Sequence, residues 1–326
     1  MLKWSQVGES MDERSKKTLY IIMGLITAML LGTVYGSYLT PSKTHLVFGA
    51  TYMTMNNPFY EVINNELKKE IEKKGDELIV HNPELDIDKQ NEQIEEFVAK
   101  KVDGIFVNPI DSSKLTSLDA AREAHIPIIA IDASVDNTDL IDCLIESDNY
   151  DAGVLCAQNM MQRMQSANIV LLKHSTVESA LSRIQGFVDT IKDYPQYKVI
   201  DYAECEGQLE RSMPAMQAIL KEHSNINVVM ALNDPAALGA LAAIESLNRT
   251  NILVYGVDGT PDLKSLIKQS PFIAGTAAQS PIKFGTLAAK NMYKILERKD
   301  VPKTIEVPVT LITKDNIDSY NVKGWQ

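Results

Sequence analysis

The sequence predicts a doubly wound α/β protein built from two Rossmann-like lobes with parallel sheets. Three observations carry that expectation. From His45 onward, short apolar runs alternate with amphipathic stretches of helical length, the pattern of parallel strands covered by helices on both faces. At 326 residues the chain exceeds what one core usually supports, so two lobes are expected. One strand-helix-strand unit, with its polar residues at matched places, also occurs twice.

Residues 18–42 carry no charge and include LYIIMGLITAMLLGTVYGSYL, and about 20 apolar residues suffice to cross a bilayer. The expectation is a transmembrane anchor or signal segment over 18–40, behind a cytoplasmic leader over 1–17. Lys3, Arg14, Lys16 and Lys17 precede the run, so the positive-inside rule puts the N-terminus in the cytoplasm and the large domain on the extracytoplasmic face of the cell membrane. Val34-Tyr35-Gly36 offers small residues for signal peptidase, while the length of the leader favours an uncleaved anchor. No cysteine follows the run, so a lipid anchor is not expected.

LVFGATYM is the first strand after this segment. A helix follows from about Pro58 to Lys74, and proline suits a first helical turn. ELIVH leads to a helix around Asn91 to Lys101, and GIFVNP and IPIIAID bracket one near Ser113 to Ala124. IVLLK, KVIDYA, NVVMAL, ILVYGVD and IAGTAA continue the series.

The repeated unit joins IFVNPIDSSKLTSLDAAREAHIPIIAID to VVMALNDPAALGALAAIESLNRTNILVYGVD. A strand ends at Asn108 and the next at Asp132, 24 residues on; the second unit does so at Asn233 and Asp258, 25 residues on. Open α/β sheets bind ligands outside the carboxyl ends of their strands. If the two edges face each other, these four side chains converge on one cleft. The competing expectation is that Asn and Asp cap the helices that follow. Capping does not require Asp132 and Asp258 at matched offsets, and Asn233-Asp234 supplies one residue for capping and one for binding.

The composition, 45% hydrophobic and 23% charged, is that of an ordered globular chain. A net charge of −11 with no basic stripe argues against nucleic acid as a partner. Cys143, Cys156 and Cys205 lack CxxC spacing and read as small apolar fillers. The five histidines show no HExxH or similar spacing, so no metal and no cofactor is expected. GxSxG, GxxxxGK[ST] and GxGxxG are absent, and the two aspartates end strands of different lobes, so no catalytic residue is assigned and the protein is expected not to be an enzyme.

Asn donates and accepts, ionised Asp accepts, and Arg donates in a planar fork, a set that matches vicinal hydroxyls. MNNPFY adds Asn57, Phe59 and Tyr60; SRIQGF adds Arg183; AAQSP adds Gln279. Aromatic faces pack on the C–H face of a sugar ring while amides and carboxylates take its hydroxyls. A polar, uncharged ligand is the expectation.

At MNNPFY, VNPIDS, ESDN, LNDPAALGAL, YGVDGTPD and AAQSP, the sequence resembles the type I periplasmic-binding-protein family, specifically its ribose-binding-like sugar receptors, over roughly residues 44–315. The resemblance implies two lobes, 44–147 plus 280–307 and 148–279 plus 308–326, joined by a three-crossing hinge near Ser147, Gln279 and Val307. It implies that Asn57, Phe59, Tyr60, Asn108 and Asp132 serve the first lobe, Arg183, Asn233 and Asp258 the second, and Gln279 a hinge. Two departures, Ala133 where such receptors often carry Arg and Cys205 where they often place an aromatic, make ribose itself doubtful. The implied function is capture of a monosaccharide or polyol for an ABC importer. The alternative is a ligand-sensing subunit that signals through a membrane sensor kinase or chemoreceptor.

Overall fold

The computed structural model describes residues 13–39 and 45–326, the side chains of residues 32–39 excepted. The chain divides at His45/Leu46 into two compact units.

The first unit contains α1 (Glu13–Leu39), one uninterrupted helix. Its polar Thr18 and Thr27 donate their hydroxyls to the carbonyls of Arg14 and Met23, 3.0 and 2.8 Å away, which satisfies them inside an apolar run. Among the described residues no helix is long and apolar enough to cross a membrane. The described side chains of α1 begin with Glu13, Arg14, Lys16 and Lys17 and end at Leu31, so the charged first turns occupy part of that stretch. The membrane span expected over 18–40 is thus not shown by α1. The leader before residue 13, the side chains of Val34-Tyr35-Gly36 and residue 40 lie outside the described residues.

The second unit alternates as expected. It runs β1 (Val47–Thr51), α2 (Pro58–Glu72), β2 (Glu77–His81), α3 (Ile87–Lys100), β3 (Gly104–Val107), α4 (Leu118–Glu123), β4 (Ile128–Ile131) and β5 (Cys143–Ser147). It continues with α5 (Asn149–Arg163), β6 (Ala167–Lys173), α6 (Glu178–Ile191), β7 (Tyr197–Glu204), α7 (Leu209–Glu222), β8 (Val228–Ala231), α8 (Asp234–Ser246), β9 (Leu253–Asp258), α9 (Pro261–Gln269) and β10 (Ile273–Ala278). α10 (Pro281–Leu296), β11 (Thr304–Val307) and β12 (Thr310–Thr313) close it. β3, β4 and β8 are buried along their whole length, as sheets covered on both faces require.

Two six-stranded sheets result, ordered β11-β5-β4-β3-β1-β2 and β12-β10-β9-β8-β6-β7. The two orders are the same path walked twice. Every pairing is parallel except that of β12 with β10. In each sheet the order reverses beside the first strand, β1 or β6, which is the switch point where such sheets open a crevice. The chain passes between the sheets three times: after β5, after β10 and between β11 and β12.

Two helices differ from expectation. α3 begins at Ile87, four residues ahead of Asn91, because Asp86 caps it by accepting the amides of Asp88 and Lys89. α4 is confined to Leu118–Glu123 because the Asp111 side chain takes the amide and hydroxyl of Ser113 and holds that stretch in a turn. β5, β11 and β12 fall outside the apolar runs. Cys143, Cys156 and Cys205 are free and buried.

Candidate functional site

Most site residues are delivered by the carboxyl end of a strand or the segment leading into the next helix, whereas Arg183 comes from the second turn of α6. Asn57 follows β1 and caps α2, accepting the amide of Phe59 at 3.0 Å. That cap turns Phe59 and Tyr60 inward. Phe59, 1% exposed, packs edge-on against Tyr60 and Phe284, and the Tyr60 hydroxyl donates to Asp132 Oδ2 at 3.1 Å.

Asp132 and Asp258 stand just past the end of β4 and at the last residue of β9, and both have positive φ, +71° and +133°. Such backbone is uncommon for residues with a Cβ and clusters at functional sites. Neither aspartate caps a helix; the cap of α9 is Thr260. The matched aspartates thus depart from the capping expectation. Asn233 meets it, accepting the amide of Ala236 at 3.0 Å and donating to the carbonyl of Gly207 at 3.1 Å. Asp234 is also structural, taking the Thr260 amide and the Thr276 hydroxyl, each at 2.7 Å.

Arg183 enters from α6. It is buried, with Nε donating to Asn149 Oδ1 at 2.8 Å and Nη1 to the Leu232 carbonyl at 3.0 Å. Its position follows from a backbone-on-backbone crossing of α5 and α6: a Cβ on Gly153 would collide with the Arg183 carbonyl and one on Gly186 with the Tyr150 carbonyl. Glycine at these two places lets the helices approach closely enough for Asn149, at the start of α5, to reach the guanidinium. From there Arg183 lies 3.5 Å from Asp132 and 3.8 Å from Asp258. The side chains of the two sheets therefore meet in one charged cluster.

The cluster lines a cavity of about 20 Å³, room for about one water. Asn57, Phe59, Tyr60, Asp132, Arg183, Asn233 and Asp258 border it. Two expected residues do not. Asn108, fully buried, accepts the Met53 amide at 3.1 Å and donates to the Ile131 carbonyl at 3.0 Å, so both ends of its amide brace neighbouring backbone. Gln279 donates to Asp258 Oδ1 at 2.8 Å and orients that carboxylate from behind.

His174, Ser179, Glu206 and Gln208 also border the cavity, and the sequence had not singled them out. His174 directly follows β6, the strand-end position that drew attention elsewhere, so that signal was available. Glu206 and Gln208 lie on an irregular loop where no spacing marks them. Burial is the leading cause that raises the pKa of Asp132 and of Asp258; for Asp258 the neighbouring Asp234 raises it further, and Arg183 opposes the rise in both. Burial lowers that of His174, against the nearby charges of Glu206 and Glu204.

A periplasmic binding protein domain model matches residues 48–300. The chain belongs to the type I periplasmic-binding-protein family. It falls in the ribose-binding-like group of sugar substrate-binding proteins, which are binding proteins and not enzymes. The ribose import binding protein of Bacillus subtilis is 30% identical over 275 residues, covering 84% of this chain and 89% of that protein. A solute-binding protein from Mycobacterium smegmatis with bound glycerol superposes with a TM-score of 0.80 at 26% identity, covering 84% of this chain and 96% of that one. One from Actinobacillus succinogenes with bound D-allose gives 0.77 at 25%, covering 84% and 100%. The chain is a sugar- or polyol-binding component of the ABC-importer class, extracytoplasmic in kind.

Proposed function

We propose that this receptor is tethered to the membrane by its N-terminal segment, captures a monosaccharide or polyol between its two lobes, and delivers it to an ABC permease. The observation that carries the reading is the placement of Arg183 between Asp132 and Asp258. Side chains from both sheets meet there with hydrogen-bonding atoms left over, and a ligand that engages both sets favours the closed arrangement of the lobes. The lobes in this reading are 44–147 with 280–307 and 148–279 with 308–326, in keeping with the sheet membership of β10, β11 and β12. Because the cavity holds about one water, a sugar enters only if the lobes part along these crossings.

The bound glycerol and D-allose of the similar structures support a small polyhydroxylated ligand. Tethering rests on the uncharged run over residues 18–42. Thermal-shift screening of the purified full-length chain against sugars and polyols tests the ligand class. Uptake of the selected sugar by cells lacking the protein tests delivery: unimpaired uptake overturns it and leaves the sensing role. Fractionation decides tethering, since mature protein starting near Ser37 in the medium would disprove an anchor.

A further inference from the structure

The buried cleft holds more aspartate carboxyls than cations. Asp132 and Asp258 are 3% and 2% exposed, and among the described residues lining the cavity Arg183 is the one Lys or Arg. Asp234, fully buried, adds a third carboxyl behind Asp258. Glu206 is paired outward with Arg211. Lys264, the buried cation near Asp234, spends its ammonium on the carbonyls of Asn321 and Gly324 at 2.8 and 2.5 Å. At the cavity itself two aspartates, Asp132 and Asp258, thus share one cation, Arg183.

The hydrogen bonds leave buried atoms open on both the acceptor and the donor side. Arg183 sends Nε and Nη1 to Asn149 and Leu232, and its 3.5 and 3.8 Å approaches to the two aspartates are too long or too poorly aligned to count as hydrogen bonds. Asp132 Oδ1, Asp258 Oδ2 and Gln279 Oε1 are buried without a hydrogen-bond partner, against Nη2 of Arg183 and Nδ2 of Asn149 on the donor side. A buried acceptor without a donor is costly, and one countercharge shared by two buried carboxyls leaves both short of compensation.

Resting on the receptor reading above, we infer that the ligand is an amine-bearing sugar or polyol, whose ammonium supplies the missing donors and positive charge at Asp132 Oδ1 and Asp258 Oδ2. An ammonium brings three donors and no acceptor, and charge-assisted bonds are roughly twice as strong as neutral ones. This departs from the uncharged ligand expected from the sequence, because an ammonium is a cation.

The test is titration calorimetry on the purified full-length chain with matched pairs: D-glucose and D-glucosamine, D-galactose and D-galactosamine, ribitol and 1-amino-1-deoxyribitol, with N-acetyl-D-glucosamine as an uncharged control. In every pair that binds, the amine is expected to bind about tenfold tighter than its hydroxyl parent. Asp258→Asn and Asp132→Asn, each checked for an intact fold by circular dichroism, are expected to shrink that preference. A hydroxyl parent or the acetylated control that binds as tightly as the amine overturns the inference and leaves the receptor reading standing. Binding by no member of any pair, nor by any sugar of the wider screen, overturns both.

Discussion

Arg183 lies 3.5 Å from Asp132, although one rises from a helix over the second sheet and the other ends a strand of the first. The contact draws the two sheet edges together, and the ligand chemistry depends on it. Arg183→Lys keeps the charge but loses the fork that reaches Asn149 and Leu232 together. Affinity for the sugar selected by screening is expected to fall about 10- to 100-fold. Calorimetry measures this, and an unchanged affinity would remove Arg183 from the site.

The aspartates and Asn108 should separate in a thermal-shift experiment. Asp132→Asn and Asp258→Asn preserve a side chain tolerant of positive φ and are expected to reduce the ligand-induced rise in melting temperature while leaving the unliganded protein nearly unchanged. Asn108→Ala removes two hydrogen bonds to buried backbone. It is expected to cost about 1–3 kcal/mol without ligand and to keep the ligand-induced rise.

Gly186→Ala tests how α5 and α6 set the guanidinium. The added methyl meets the Tyr150 carbonyl, which is backbone and cannot rotate away. The helices must separate, at about 1–3 kcal/mol, and the Asn149–Arg183 bond stretches with them. Lower stability accompanied by weaker sugar binding is the expected result. A variant with wild-type melting temperature would contradict the close crossing.

Glu146 should make the fold sensitive to pH. It sits directly opposite Glu306 across the β5–β11 ladder. Burial first, then the charges of Asp132, Glu306, Glu178 and Asp148, push its pKa up to about 7. A carboxyl whose pKa is raised on folding binds its proton more tightly in the folded state. Its contribution is therefore fully present below the unfolded value and is lost as pH rises toward about 7. Glu146→Gln is expected to match the wild type near pH 4 and to melt about 2–4 °C higher near pH 8, as followed by circular dichroism. Equal melting temperatures at both pH values would show that the carboxyl carries no penalty.

The sequence by itself determined the alternation of strands and helices, because apolar runs bounded by turn residues report burial on both faces of a sheet whatever lies beyond them. It also determined the strand ends beside Asp132, Asn233 and Asp258, since the register of a strand decides which residue stands at its mouth. Tertiary structure alone decided what those residues do there. Asn108 and Asp132 look equivalent in sequence, yet one is consumed by the backbone amide of Met53 and the carbonyl of Ile131 and the other faces the cavity. Side-chain partners across 55 or 23 residues of chain leave no local trace. The same holds for the Gly153–Gly186 crossing and the charge count of the cleft, because both depend on how closely separate elements approach, a quantity set by packing over the whole fold.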